Sequence, residues 1–113
     1  MEVFELAAPF SSETKMRALQ RAGYHCECCG VVLERNGRLG TGMPYHIHHR
    51  KPQAKGGSST LMNAAAVCTK CHSHLHRVQD LGYTFPQACD VVRFARRNKI
   101  NVEKALALMT KRR

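Results

Sequence analysis

The cysteines and histidines between positions 26 and 76 fall into two sets with different chemistry. Cys26-x-x-Cys29 and Cys68-x-x-Cys71 share a two-residue spacer, and four thiolates in that pattern suit a closed tetrahedral zinc site. Zinc held this way is structural, because no coordination position stays open for water or substrate. Gly30 permits the tight turn that aims backbone N–H groups at sulfur. Cys28 lacks a matching spacer and is read as a bystander. Cys89, alone on a helix, is read as a small core residue. The second set is imidazole. His72 and His76 lie one helical turn apart and can chelate one ion, and His48 is the candidate third ligand from a facing strand. Three imidazoles leave positions open for water or phosphate. His49 titrates near neutral pH and suits a general base. Adjacent residues of a regular strand point to opposite faces, so His48 and His49 serve one phosphate only if the strand ends or twists there. The loop sequence KPQAKGG just after the pair favours such an ending.

These groups need elements to position them. Ser11 or Ser12 can cap a helix running to about Ala22 and stopped by Gly23, with Met16, Leu19 and Ala22 on its apolar side. Val3, Phe4, Leu6 and Phe10 precede it as an arm able to pack on the body. Val31–Leu33 and Asn36-Gly37 suggest a short hairpin. Residues 45–50 alternate as a strand, Tyr45, Ile47 and His49 on one face and His46, His48 and Arg50 on the other. PQAKGGSST is a loop closed by Asn63, Gly56-Gly57 within it being a turn and not a phosphate cradle. Ala64–Val67 reads as a short strand, and a helix from about Cys71 carries His72 and His76 until Gly82. His46 and His74 are read as surface or hairpin positions, His74 facing solvent, and His25 as a donor near the thiolates. Thr84-Phe-Pro-Gln87 has the form of a capping box. The helix it starts buries Ala88, Val91, Val92 and Ala95 and turns Arg93, Arg96 and Arg97 away. Asn101 caps a last helix.

Composition narrows the classes. With 4 Phe, 3 Tyr and no Trp, the core is thin for its length, and a bound metal would help hold it. Lys and Arg number 18 against 8 Asp and Glu, a formal net charge of +10, so a polyanion is the natural partner. The opening MEVFELAAPFSSE has no basic stretch followed by an apolar run, which argues against a signal peptide. No apolar run approaches the ~18 residues that span a bilayer, so no membrane role is expected. A cytoplasmic address favours thiolate–metal bonds over disulfides. The expected organisation is an arm and helix over 1–23, a metal-bearing core over 24–82, and a basic helical extension over 83–113.

The pattern His48-His49, Asn63, His72 and His76 resembles the HNH endonuclease family, whose ββα-metal motif sets two strands and a helix around one divalent ion. Its spacing is similar to the His-rich colicin DNase branch. The cysteine pairs and the HHRKPQAKGGSS turn look more like the zinc-stapled HNH proteins of bacteria and their phages. The resemblance covers residues 24–78. It implies an α+β fold, with a small ββα-metal core stapled by zinc and flanked by helices. It also implies that His48, His72 and His76 hold a catalytic divalent ion, that His49 activates water, and that Asn63 ties the loop and helps orient that base. Many members have Asp where His48 stands, and many zinc-stapled members lack an equivalent of His76. A neutral ligand at position 48 shifts metal choice toward Ni²⁺, Co²⁺ or Zn²⁺, with Mg²⁺ or Mn²⁺ sufficient if phosphate oxygens help. The implied activity is hydrolysis of double-stranded DNA in a bacterial or phage-infected cell, leaving 5′-phosphate and 3′-hydroxyl ends. Arg50, Lys51 and Lys55 would contact phosphates near the site, and Arg93, Arg96 and Arg97 would add sequence-independent affinity. The rival is a non-catalytic zinc-ribbon-like nucleic-acid binder, which leaves the five HNH-like positions without a reason. An accessory subunit of a packaging or restriction complex is the other alternative.

Overall fold

The computed structural model describes residues 9–34 and 42–111. Val3, Phe4, Leu6 and the Asn36-Gly37 turn lie outside them. The described residues hold a two-stranded sheet and four α-helices, a mixed α+β domain as expected. In chain order these are α1 (Ser12–Arg21), β1 (Tyr45–His49), β2 (Ala64–Cys68), α2 (Thr69–Asp80), α3 (Phe85–Asn98) and α4 (Val102–Lys111). Short 3₁₀ turns at Gln53–Lys55 and Leu61–Asn63 shape the loop between the strands.

Local chemistry sets most boundaries. Ser11 Oγ accepts from the Thr14 N–H at 3.1 Å and starts α1. The helix ends in a Schellman pair, Tyr24 N–H to Leu19 O and Gly23 N–H to Gln20 O, which Gly23 permits at a φ of +64°. The face of α1 differs from expectation: Ala18 and Leu19 are buried while Met16 is 55% exposed. Ala18 packs with Phe10 and Ala64, and Leu19 joins the main core with Ala65, Ala66 and Val67. The Thr84 capping box closes in both directions, with Gln87 Oε1 accepting from Thr84 N–H at 2.9 Å and Thr84 Oγ1 from Gln87 N–H at 3.4 Å. Asn101 Oδ1 caps α4 by accepting from the Lys104 N–H at 2.7 Å.

β1 and β2 pair antiparallel, from Tyr45 opposite Cys68 to His49 opposite Ala64. Every residue of β2 is buried, so the strand is covered on both faces. Ala64 meets Phe10 and Ala18 on one side. On the other, the main core runs through Ala65, Val67, Leu75, Val78, Phe85, Val92 and Ala105. Thr69 follows β2 without a linker, which places α2 beside the sheet and starts it two residues earlier than its sequence suggests.

A candidate metal centre and its zinc-type staple

The sulfur atoms of Cys26, Cys29, Cys68 and Cys71 lie within 4.8 Å of one another. Cys29 and Cys68 Sγ are 3.9 Å apart, close to the about 3.8 Å that four tetrahedral zinc–sulfur bonds of about 2.3 Å impose. Backbone N–H groups of Cys28, Cys29 and Cys68 point at Cys26 Sγ at 3.4, 3.4 and 3.3 Å. Gly30 turns the knuckle at a φ of +84°. Contact with Cys71 and burial push the Cys26 thiol up to about 12, so metal must displace its proton. The donor set, spacing and amide cradle fit a structural divalent ion. Cys28 is buried outside the set and donates to the Cys89 carbonyl at 3.8 Å. His25 does not serve the thiolates: its Nδ1 pairs with the Gly23 carbonyl at 2.7 Å, because the left-handed turn at Gly23 and Tyr24 holds that oxygen within reach.

The second cluster joins His48 of β1 to His72 and His76 of α2, their ligating nitrogens also within 4.8 Å. His72 and His76 Nε2 are 3.0 Å apart, a separation that two bonds of about 2.1 Å to one ion reproduce. The His48 ring meets both edge-on, with centroids 5.3 and 5.0 Å away. Burial, ahead of the neighbouring charges, pushes the His48 imidazole down to about 4, and burial followed by His76 does the same for His72. Both are neutral at pH 7 and have lone pairs to give. Among the described residues, buried His48 Nδ1 has no hydrogen-bond partner, an orphan that an ion would satisfy. His46 is exposed and stacks on His72 at 4.6 Å. His74 is half-buried, contrary to its expected solvent exposure, with Nδ1 shielded from water. Burial lowers it first, then the charges of Arg77 and Arg96.

β1 ends at His49, the strand end that a site shared by His48 and His49 would need. The His49 ring stacks on Phe10 at 4.0 Å, and its Nε2 lies 3.2 Å from Ser59 Oγ. Burial lowers its proton affinity, helped by His76. Asn63 ties the intervening loop with three bonds: Oδ1 accepts from Lys51 N–H at 2.8 Å, while Nδ2 donates to Lys51 O at 3.1 Å and Ser58 O at 2.7 Å. The last bond sits next to Ser59, so Asn63 holds the strand of loop against which His49 rests. Gly57 is pressed on the same loop, where an added Cβ would stand 1.8 Å from the Lys51 carbonyl oxygen.

The cations divide. Arg50 faces inward, with Nη2 on Glu27 at 2.5 Å, Nε on Ala64 O at 3.1 Å and its guanidinium 4.9 Å from the Phe85 ring centre. Lys51 and Lys55 line an open groove of about 440 Å³ with Asn63, Tyr83 and Pro86. Arg93 Nη1 donates to the Cys28 carbonyl at 3.0 Å. Arg96 Nη1 reaches Cys71 and Cys68 Sγ at 3.3 and 3.6 Å. Arg97 borders the groove of about 660 Å³ beside them. Sequence reasoning missed two residues. Glu27 takes Arg50, Arg21 and the Ala66 N–H on one carboxylate. Gln79 lies 2.6 Å from His48 Nε2 through its Oε1. Its place on the stripe of His72 and His76 is the one signal that points to it.

This geometry agrees with the HNH endonuclease family model, which matches residues 26–77. Residues 26–77 belong to the HNH endonuclease family. The segment takes in both cysteine pairs, His48, His49, Asn63, His72 and His76. The type IV methyl-directed restriction enzyme EcoKMcrA of Escherichia coli (strain K12) is 35% identical to the chain over 79 residues, covering 67% of this chain and 28% of that enzyme. The chain therefore spans under a third of that relative's length. No solved structure matches the chain. Around this HNH segment, no helix among the described residues is long and apolar enough to cross a membrane.

Proposed function

We propose that the chain is a divalent-metal-dependent nuclease module that hydrolyses phosphodiester bonds of double-stranded DNA in the cytoplasm. The observation that carries this reading is the convergence of His48, His72 and His76 beside His49 at the end of β1. His48, His72 and His76 would hold the catalytic ion, and Cys26, Cys29, Cys68 and Cys71 a structural Zn²⁺. A divalent ion there supplies Lewis-acid stabilisation of the charge that builds on the phosphate and the leaving 3′ oxygen. His49 accepts the proton of the water attacking phosphorus in line. Asn63, through the loop it ties, keeps that imidazole in register. Lys51, Lys55 and Arg97 bind backbone phosphates. Similarity to a methyl-directed restriction enzyme favours a restriction setting, with a protein partner contributing target choice.

The test is plasmid cleavage by zinc-replete protein with Mg²⁺, Mn²⁺, Ni²⁺, Co²⁺ or Zn²⁺. Nicked or linear product with at least one ion, abolished by chelation and carrying ligatable 5′-phosphate ends, is the expected result. Tight DNA binding with no cleavage under any ion would instead support the non-catalytic binder.

A further inference from the structure

Gln79 is one of two buried polar side chains among the described residues, and the other is His48, which it touches. It lies one turn beyond His76, so the stripe that brings His72 and His76 to β1 brings its amide there too. The amide has a defined orientation. Its Nε2 donates to the Arg50 carbonyl at 2.8 Å, and a backbone carbonyl can only accept. Its Oε1 therefore faces His48 Nε2 at 2.6 Å, and an amide oxygen too can only accept. The hydrogen in that contact must sit on His48 Nε2. In a neutral imidazole the other nitrogen is then a bare lone pair, and that nitrogen, Nδ1, is the buried atom without a partner among the described residues.

We propose that Gln79 is a positioning residue that holds His48 as its Nε2–H tautomer, so that Nδ1 is the atom His48 offers to a metal ion. The inference rests on reading the three histidines as a metal site and adds which atom binds and which residue selects it. Ligating histidines as a rule donate their second N–H to an oxygen acceptor, which fixes ring and tautomer. With a neutral amide in that role, the described residues give the site neither a ligating nor a supporting carboxylate. Phe85, its ring centre 5.7 Å from that of His48, packs beside this buried imidazole.

The test uses full-length protein with zinc on its cysteines and ¹⁵N-labelled histidine, the His48 signals being assigned by their loss in His48→Gln. Before Ni²⁺ is added, nitrogen NMR should show His48 protonated at Nε2 and bare at Nδ1. A His48 protonated at Nδ1 overturns the proposal. Gln79→Met, which keeps the volume and removes the acceptor, should mix the tautomers and weaken Ni²⁺ binding by about 10–100-fold in calorimetry. Gln79→Glu, which keeps an oxygen opposite Nε2, should hold the tautomer. Unchanged tautomer and Ni²⁺ affinity within twofold in Gln79→Met would make Gln79 a packing residue and end the proposal. Should Gln79→Met not fold, the wild-type and Gln79→Glu tautomers decide. Absence of DNA cleavage would defeat the nuclease reading and leave these measurements standing.

Discussion

Arg96 Nη1 lies 3.3 Å from Cys71 Sγ and within 3.7 Å of Cys68 and Cys29. One guanidinium thus spans three of the four sulfurs. Four thiolates around a dication carry two net negative charges, and Arg96 offsets part of that from across the α2–α3 interface. Hydrogen bonding to Cys71 in turn raises its own proton affinity. Arg96→Ala should release zinc to a chromophoric chelator about tenfold faster, about 1.4 kcal/mol if the change appears in affinity. Its DNA affinity should fall no more than that of Arg97→Ala, whose salt slope should drop by about one. Wild-type zinc release in Arg96→Ala would return Arg96 to the DNA-binding cations.

The staple itself is tested by removing sulfurs singly. Ser in place of Cys26, Cys29, Cys68 or Cys71 should lose bound zinc in elemental analysis and cooperative unfolding in urea, since metal binding and folding are coupled in small sites. Cys28→Ser and Cys89→Ser should keep zinc. Well-folded wild type without zinc would refute the assignment.

Glu27 holds four segments together: α1 through Arg21, the zinc knuckle in which it sits, β2 through the Ala66 N–H, and the end of β1 through Arg50. Its side chain is 17% exposed. Glu27→Ala leaves Arg50 without its partner and should cost about 3 kcal/mol of unfolding free energy, read from urea denaturation. A loss below about 0.5 kcal/mol would show the carboxylate to be a surface charge.

His49→Ala should keep zinc, fold and DNA affinity while lowering cleavage by about 10²–10⁴-fold, the usual worth of a positioned base. His48→Ala and His72→Ala should lose cleavage through weaker binding of the catalytic ion, so excess metal should restore part of it. Excess metal should not restore His49→Ala. Equal cleavage by wild type and His49→Ala would move the proton to another group, with His46 next in line.

Acid should weaken the fold before carboxylates titrate. His48 and His72 are depressed from the ordinary value of 6.5 to about 4. Between those values the unfolded chain binds protons that the native chain does not, so stability is full above about pH 6.5 and falls toward pH 4. Urea midpoints at pH 7 and pH 5 should show the loss. It should shrink in a His48→Phe variant that no longer titrates, and an equal loss there would place the effect elsewhere.

Features written in neighbouring residues were legible in the sequence. The Thr84–Gln87 box, the Gly23 stop and the two Cys-x-x-Cys spacers each act over a few positions. Their chemistry needs no knowledge of the rest of the chain. What stayed hidden depends on distant partners: Glu27 on Arg50, Gln79 on His48, Arg96 on Cys71. Periodicity marks Arg96 as facing away from the stripe of α3, but it cannot say that the zinc knuckle stands there. His74 shows the same gap, since a helical wheel sends it away from His72 yet is silent about the side chains of α2, α3 and α4 that surround it. Met16 fails because the buried face of α1 is centred on Ala18 and Leu19, a choice made by the partners they meet and not by a three-residue repeat.

The three successive alanines of β2, each without accessible surface, set how this domain can vary. A methyl group is all that fits between α1 on one side and the α2–α3 layer on the other. Each added carbon would push a helix off the strand, an overpacking cost of about 1–3 kcal/mol. Lengthening those side chains would also shift α2 against β1, and with it the distance between His48 and His72. Relatives that share this geometry should drift freely on the outer faces of α1 and α4 while keeping small residues at positions 64–66.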